Sequence, residues 1–345
     1  MALGYLARFA AIAGIFVGAA SPARAEEPTA LKFAYPGPLT SWPSTRGFAP
    51  WANKIKEASG GLVEITLYSG IATYRNVYDR LLNGVADFGF GTYGNLEDQF
   101  PKSTVTGLPL LADNSLETGL GLWRLYASGV VADEYSRIKP IAMFGFGNSG
   151  FHMTKAVTKL EDLRGVKILA GGRSVSRIVS LVGAVPITST PAEVYDGLNR
   201  GLGSGTVTTW SGVEQFKLGE LIKYHLDMPF GRTGGYFFMN KDAFARLPAK
   251  AQEAIDRYSG EDLTTIMSKE ADAQDNADRD RLMANPGQTS KSLSAADLEN
   301  LRRVLAPMTE EWVAATPDGE KVLAAYQAEI ERIRKSGAAS TPTTR

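Results

Sequence analysis

Residues 158–220 read TKLEDLRGVKILAGGRSVSRIVSLVGAVPITSTPAEVYDGLNRGLGSGTVTTWSGVEQFKLGE. Two short apolar runs, Val166-Lys167-Ile168-Leu169 and Val185-Pro186-Ile187-Thr188, alternate with stretches of helical periodicity. Thr190-Pro191-Ala192-Glu193 is a capping box: a hydroxyl at the N-cap, proline at the first helical position and Glu at the third. Thr158-Lys159-Leu160-Glu161 and Ser211-Gly212-Val213-Glu214 carry the same signal. Val194, Tyr195 and Leu198 form an apolar stripe, and the glycines at 201, 203 and 205 mark a stop and turn. The order is strand, helix, strand, helix, strand, helix. Such alternation predicts an α/β lobe with a mainly parallel sheet, whose ligands sit at the carboxyl ends of strands.

The same alternation occurs upstream. Residues 31–35 read as a strand that enters a loop rich in Pro, Ser and Thr and carrying Trp42. Phe48, Trp51, Ala52 and Ile55 share one helical face, and Ser59-Gly60-Gly61 ends that helix. Residues 62–68 alternate as a strand, 74–83 form a helix with Val77, Tyr78 and Leu81 inward, and 86–91 form a third strand running into Thr92-Tyr93-Gly94. This is a second α/β lobe. Further on, a helix is expected over 115–135 and strands over 140–146 and 236–240. A very long helical pattern runs from Leu247-Pro248 to Met283, with a break at Gly260. Its roughly 35 residues at about 1.5 Å each would exceed one small domain. The polar run KEADAQDNADRDR at its centre reads as a solvated face. Two more helices are expected over 294–308 and 310–335, and 336–345 reads as a disordered tail.

The chain has 345 residues, 44% hydrophobic and 21% charged, which suits about two domains. Its first 25 residues read as a secretory signal peptide: Arg8, the apolar run FAAIAGIFVGAA, then the cleavage site Ala23-Arg24-Ala25. An uncut anchor is the alternative, and the small-x-small site argues against it. Cleavage takes the basic residues from 37 to 35 against 37 acidic ones, a net charge of −2. That gives no electrostatic case for nucleic acid or an anionic membrane. Cysteine is absent, which excludes thiolate catalysis and cysteine metal sites.

Gly145-Phe146-Gly147-Asn148-Ser149-Gly150 has the form of a dinucleotide fingerprint. The following residues read as extended rather than helical, so a turn with close backbone approach fits better than a cofactor cradle. His152 and His225 have no partners at metal or catalytic spacing, and no nucleophile motif is present. Rings are more informative: Trp42, Tyr74, Tyr93, Phe146 and Trp210 fall at expected strand ends or in loops beside Gly, Ser and Thr. Each alone fits ordinary packing; together they describe a cleft lined by rings, with hydroxyls for orientation. Arg173, after Gly171-Gly172 at a helix start, could clamp a carboxylate or equally form a surface salt bridge. Arg46 and Arg232 are lesser candidates for the same role.

The residues Leu163-Arg164-Gly165-Val166-Lys167-Ile168, Gly183-Ala184-Val185-Pro186-Ile187, Glu193-Val194-Tyr195 and Leu198-Asn199-Arg200-Gly201 resemble a known pattern. So do Gly60-Gly61-Leu62-Val63-Glu64-Ile65, Gly84-Val85-Ala86-Asp87-Phe88, Leu108-Pro109-Leu110 and Met239-Asn240-Lys241. The pattern is that of the DctP family, the periplasmic solute-binding proteins of TRAP (tripartite ATP-independent periplasmic) transporters. The resemblance implies a two-lobed periplasmic binding protein fold, type II-like, each lobe a mixed sheet flanked by helices, with a long helix bracing both. On that plan lobe I takes 26–147 and 236–259, lobe II 148–235 and 285–335, and the brace 260–284. It implies a monomer without cofactor or catalysis that closes on a small solute in the periplasm. It implies delivery of that solute to the small and large TRAP permease subunits.

At the position of the family's carboxylate-pairing Arg this chain has Leu169; Ser204 replaces an Asp, and Asn148 and Ser149 stand at a second usual contact. The expected ligand is accordingly an organic acid that is less acidic or more apolar, aromatic or sugar-derived, or one held by Arg173. The expected contacts are Trp42, Tyr74, Tyr93, Asn148, Arg173, Thr208 and Trp210. An exported two-lobed hydrolase or isomerase, or a ligand sensor on the same fold, is the rival expectation.

Overall fold

The computed structural model describes residues 27–228 and 230–337. The signal peptide expected at 1–25, and the tail from 338 onward, lie outside the described residues. The chain builds β1 (Thr29–Ala34), α1 (Ala49–Ala58), β2 (Val63–Tyr68), α2 (Val77–Leu82), β3 (Phe88–Thr92), α3 (Ser115–Ala127) and β4 (Ile138–Asn148). It then crosses into β5 (Gly150–Met153), β6 (Lys167–Ala170), α4 (Gly172–Leu181), β7 (Val185–Thr188), α5 (Val194–Asn199), β8 (Gly205–Thr208), α6 (Trp210–Gln215) and β9 (Tyr224–Asp227). It returns through β10 (Arg232–Asn240) to α7 (Lys241–Ala245), α8 (Ala249–Arg257) and α9 (Glu261–Met283). It finishes with β11 (Thr289–Ser292), α10 (Ala295–Ala315) and α11 (Gly319–Lys335).

Among the described residues there are two sheets, one per lobe, in the orders β2-β1-β3-β10-β4 and β11-β9-β5-β8-β6-β7. Both are mixed. In lobe I, β1 pairs in parallel with β2 and β3, while β10 runs antiparallel to β3 and β4. In lobe II, β6 lies parallel to β7 and β8, and β5 is antiparallel to β8 and β9. Among the described residues two strand connections cross between the lobes, β4 into β5 and β9 into β10, and Arg232 pairs with Asn148 where these meet. The fingerprint-like run 145–150 is strand on either side of Ser149, and its glycines serve close packing: a Cβ on Gly145 would lie 2.6 Å from the Ser115 carbonyl oxygen.

Lobe I is sandwiched by aromatic layers. Because successive strand residues point to opposite faces, Phe237 packs with Phe33 (4.9 Å, stacked) and Trp51, whereas Tyr236 and Phe238 face Phe100 and Tyr93. Lobe II has a core around Phe151, Ile168, Val179 and Leu226, covered by Leu301, Leu305 and Met308 of α10. A second cluster there holds Leu169, Leu198, Trp210 and Val213.

Gly260, at φ +81°, separates α8 from α9, so the long helical pattern is broken there. The 23 residues of α9 span about 35 Å. Met267 and Ala271 enter the lobe I core, and Leu282 enters lobe II, so α9 braces both. Its polar centre is only partly solvated: Gln274, Asp275 and Asp278 are buried against the lobes. A second expectation needs correction. Residues 319–335 do not join lobe II, because α11 inserts Val322, Tyr326 and Ile330 into a lobe I core shared with Leu122 and Leu125.

Local signals explain the element ends. Glu193 accepts the Thr190 backbone N–H (2.7 Å), closing the expected capping box. At 158–162 the carboxylate that caps is Asp162, not Glu161: it accepts from the N–H and hydroxyl of Thr158 and from the Lys159 N–H. At α6 the cap is Thr209, whose hydroxyl accepts the Gly212 N–H, rather than Ser211. Asn240 caps α7 by accepting the Ala243 N–H, and its amide donates to the buried Leu81 carbonyl (both 2.7 Å). Asn240→Ala removes the cap and orphans that carbonyl, at an expected cost of about 2 kcal/mol. Urea unfolding would measure this; an unchanged midpoint would show the two bonds to be idle.

Candidate solute-binding cleft

The cleft lies between the lobes at the carboxyl ends of β1, β3, β6, β7 and β8, where the alternating pattern placed it. It is a cavity of ≈ 190 Å³. Lobe I contributes Tyr35, Trp42, Tyr74, Phe90 and Tyr93. Lobe II contributes Val175, Ile178, Val194, Thr208, Thr209 and Phe216, and the crossing segments add Phe146, Ser149, Phe230 and Arg232. Aromatic rings and aliphatic side chains therefore supply its apolar wall, and Ser and Thr hydroxyls interrupt it.

Trp42, Tyr74, Tyr93 and Thr208 thus line the cleft, as the sequence suggests. Trp42 packs edge-on against Phe144 (6.5 Å) and is 7% exposed. The Tyr74 phenol meets the amide of Gln215 from lobe II. Burial raises Tyr35, Tyr74 and Tyr93 above the ordinary tyrosine range, so all three phenols stay protonated and can donate. The Tyr35 hydroxyl is engaged with Ser41 (2.5 Å), and that of Tyr93 with Tyr135 (2.9 Å).

The other three expected contacts stand elsewhere. Asn148 turns its amide away to donate to the Met228 carbonyl (2.6 Å), and its neighbour Ser149 faces the cleft. Trp210 is 4% exposed inside lobe II, its ring 4.5 Å from His225 and 5.0 Å from His152, while Thr209 and Ser211 reach the cleft. The two imidazoles face each other across β5 and β9, Nδ1 to Nδ1 at 2.7 Å. Burial, then the neighbouring His225, lowers His152 to about 3. Arg173 is tied to carboxylates of the opposite lobe. Its Nε donates to Glu97 (2.8 Å) and its Nη2 to Asp98 (2.7 Å).

Arg46 is an exposed partner of Glu270 (3.9 Å). Arg232 does line the cleft, but Asp272 (2.7 Å) and the Asp113 carbonyl (2.7 Å) hold its terminal nitrogens. Leu169 does not form an apolar cleft wall: its side chain is buried against Gly197 and Gly203 beneath the lobe II sheet. Among the described residues, no group of three or more His, Cys, Asp or Glu side chains is placed to hold a metal ion. No helix among them is long and apolar enough to cross a membrane.

A two-lobed α/β frame with an apolar cleft at the strand ends is the architecture of a solute receptor, and residues 40–316 match the family model of bacterial extracellular solute-binding protein, family 7 (DctP). This chain belongs to that family. Like its other members, it is a solute-binding receptor of the TRAP type. It is similar to a TRAP solute-binding protein from Rhodoferax ferrireducens T118 in complex with copurified benzoate, with TM-score 0.85, 24% identity and coverage of 90% of this chain and 99% of that one. A TRAP periplasmic solute-binding protein from Bordetella bronchiseptica with bound (R)- and (S)-mandelate gives TM-score 0.81 and 25% identity over 89% and 100%. By sequence the chain is 24% identical over 294 residues to the outer membrane transporter protein TsaT of Comamonas testosteroni, covering 81% of this chain and 85% of that protein.

Proposed function

We propose that this receptor works in the periplasm, released there by cleavage after Ala25, and that it captures a small ring-bearing organic acid for a TRAP permease. The observation that carries the ligand class is the wall of the cleft: phenol, indole and phenyl faces from both lobes close over a small cavity whose polar groups are mostly hydroxyls. An aromatic or cyclic body stacks on such walls, and a few oriented donors then fix its polar end. The two structural relatives bind benzoate and mandelate, each one ring with one carboxylate. Closure is a population shift: the solute touches Tyr74 and Tyr93 of one lobe and Thr208 and Phe216 of the other, so it binds the closed state better. The membrane partners are the small and large permease subunits.

Thermal melting in the presence of benzoate, 3-hydroxybenzoate, mandelate, neutral sugars and succinate tests this reading. Ring acids should raise the melting temperature, since a ligand at 100 times its Kd adds about 2.7 kcal/mol. The bound ligand should be recovered chemically intact by mass spectrometry. Stabilisation by succinate or a neutral sugar alone would contradict the ligand class, and turnover of any ligand would contradict the receptor role.

A further inference from the structure

The ionisable groups that face the cleft are few; both charged ones are paired, and only the buried Nε of Arg232 is left without a partner. Apart from phenols, the lining carries one carboxylate, Glu97, and one guanidinium, Arg232. Arg232 is neutralised by Asp272 at 2.7 Å. Glu97 comes from lobe I but binds lobe II. One of its oxygens accepts the backbone N–H groups of Arg173 (3.0 Å) and Ser174 (3.1 Å) and the Ser174 hydroxyl (3.3 Å). The other accepts from Arg173 Nε (2.8 Å). The start of α4 has no side-chain cap of its own, because the N-cap is Gly171. A carboxylate from across the cleft supplies it. The approach is close: a Cβ on Gly172 would lie 2.6 Å from the Gly94 carbonyl oxygen.

The consequence is electrostatic. The donors that the start of α4 presents at this end of the cleft, the N–H groups of Arg173 and Ser174, the Ser174 hydroxyl and the Arg173 guanidinium, are occupied by carboxylates of the protein. Asp98 stands on the far side of Arg173 at 2.7 Å, so two anions surround one cation there and the cluster carries a net negative charge. A solute with one acid group can direct it to the hydroxyls elsewhere in the cleft. A second acid group, carried on the opposite end of the ring, would lose its hydration beside Glu97, where the one cation, Arg173, is already held by two carboxylates.

We propose that Glu97 is a specificity-determining residue that restricts the site to ligands with a single negative charge and rejects ring diacids. This rests on the cleft being the solute site. Glu97 performs the lobe-to-lobe bridging that a ligand's second carboxylate would otherwise perform, so the accepted ligand is a monoacid whose remaining substituents are uncharged.

The test compares benzoate, terephthalate and 4-carbamoylbenzoate by isothermal titration. The last two have nearly the same shape and differ by one charge. The intact receptor should bind 4-carbamoylbenzoate at least tenfold more tightly than terephthalate. Glu97→Gln keeps an acceptor for the α4 N–H groups and removes the charge; it should shrink that ratio at least tenfold. Asp98→Asn, at a 77% exposed side chain, should shrink it less and leave folding intact. Equal affinity of the intact receptor for the diacid and its monoamide would overturn the proposal. So would an unchanged ratio in Glu97→Gln, or binding of benzoate but not of 4-carbamoylbenzoate, since size would then be the filter. Failure of all three compounds to bind would remove the ring-acid reading itself, and this inference with it.

Discussion

Gly119→Ala is expected to destabilise the protein by more than about 3 kcal/mol, the upper end of ordinary overpacking, although alanine is the better helix former by about 1 kcal/mol. Gly119 lies in α3, in the turn that crosses β4. A Cβ there would stand 2.5 Å from the Phe144 Cα, 2.7 Å from the Met143 carbonyl oxygen and 2.6 Å from Ser268 Oγ of α9. Two of those three atoms are backbone of β4, which cannot rotate aside as a side chain can. Either α3 lifts from the sheet or β4 bends, and β4 is one of the strands that cross between the lobes. The control is Gly121→Ala in the same helix. Its Cβ would meet the edge of the Tyr326 ring at 2.9 Å, and a ring can tilt. Urea unfolding of the two variants should separate them widely; equal losses would mean that the close approach of α3 to β4 is not what Gly119 is for.

Glycine at 119 is visible in the sequence, but its reason is not, and the same divide runs through the whole reading. Alternating strands and helices, capping boxes and strand-end rings depend on residues near one another in the chain, so the two lobes, the cleft position and Trp42, Tyr74, Tyr93 and Thr208 were legible. The three misplaced contacts err by one residue each. Ser149 faces the cleft where Asn148 does not, Ser174 where Arg173 does not, and Thr209 and Ser211 where Trp210 does not. Strand parity decides the first, because Asn148 ends β4 and the face it presents depends on where pairing stops; Arg173 and Trp210 stand in the first turns of α4 and α6, where the entry angle of the helix decides, and no local pattern records either. Glu97 was invisible for a different reason: its partners Arg173 and Ser174 lie 76 and 77 residues away. Likewise the apolar stripe of α11 announces a buried face without naming the surface it covers. Val322, Tyr326 and Ile330 fit lobe I only because α10 carries the chain back across both lobes.

The other large effect is expected at Asp275, whose replacement by asparagine should stabilise the protein at pH 8 and not at pH 4. Asp275 sits in the middle of α9, and its Oδ1 accepts the Ser211 N–H at the start of α6 (2.8 Å). Gly147 makes room for it, since a Cβ there would fall 2.2 Å from the carboxyl carbon. Burial raises its pKa to about 7, with Asp272 adding to the rise and Ser211 and Arg232 opposing it. The unfolded chain releases this proton near 3.8. Between those values the folded protein holds more protons than the unfolded one. The stabilisation from the protonated carboxyl is therefore complete below about 3.8 and is lost as pH rises to about 7. Three pKa units at about 1.36 kcal/mol each bound the loss at about 4 kcal/mol. Asparagine keeps the acceptor for Ser211 and cannot ionise, so the variant should match the wild type near pH 4 and gain on it progressively to a plateau above pH 7. His152 has the opposite sign: lowered to about 3 by burial, it contributes stability that is present above 6.5 and lost as pH falls. In the wild type the two slopes offset one another between pH 4 and 6.5. Without Asp275 that offset to the histidine slope is gone, and Asp275→Asn should lose stability on acidification more steeply than its parent. Urea titrations of both proteins from pH 4 to pH 8 would measure the difference directly; parallel curves would mean that Asp275 is ionised in the folded state throughout, held so by Arg232.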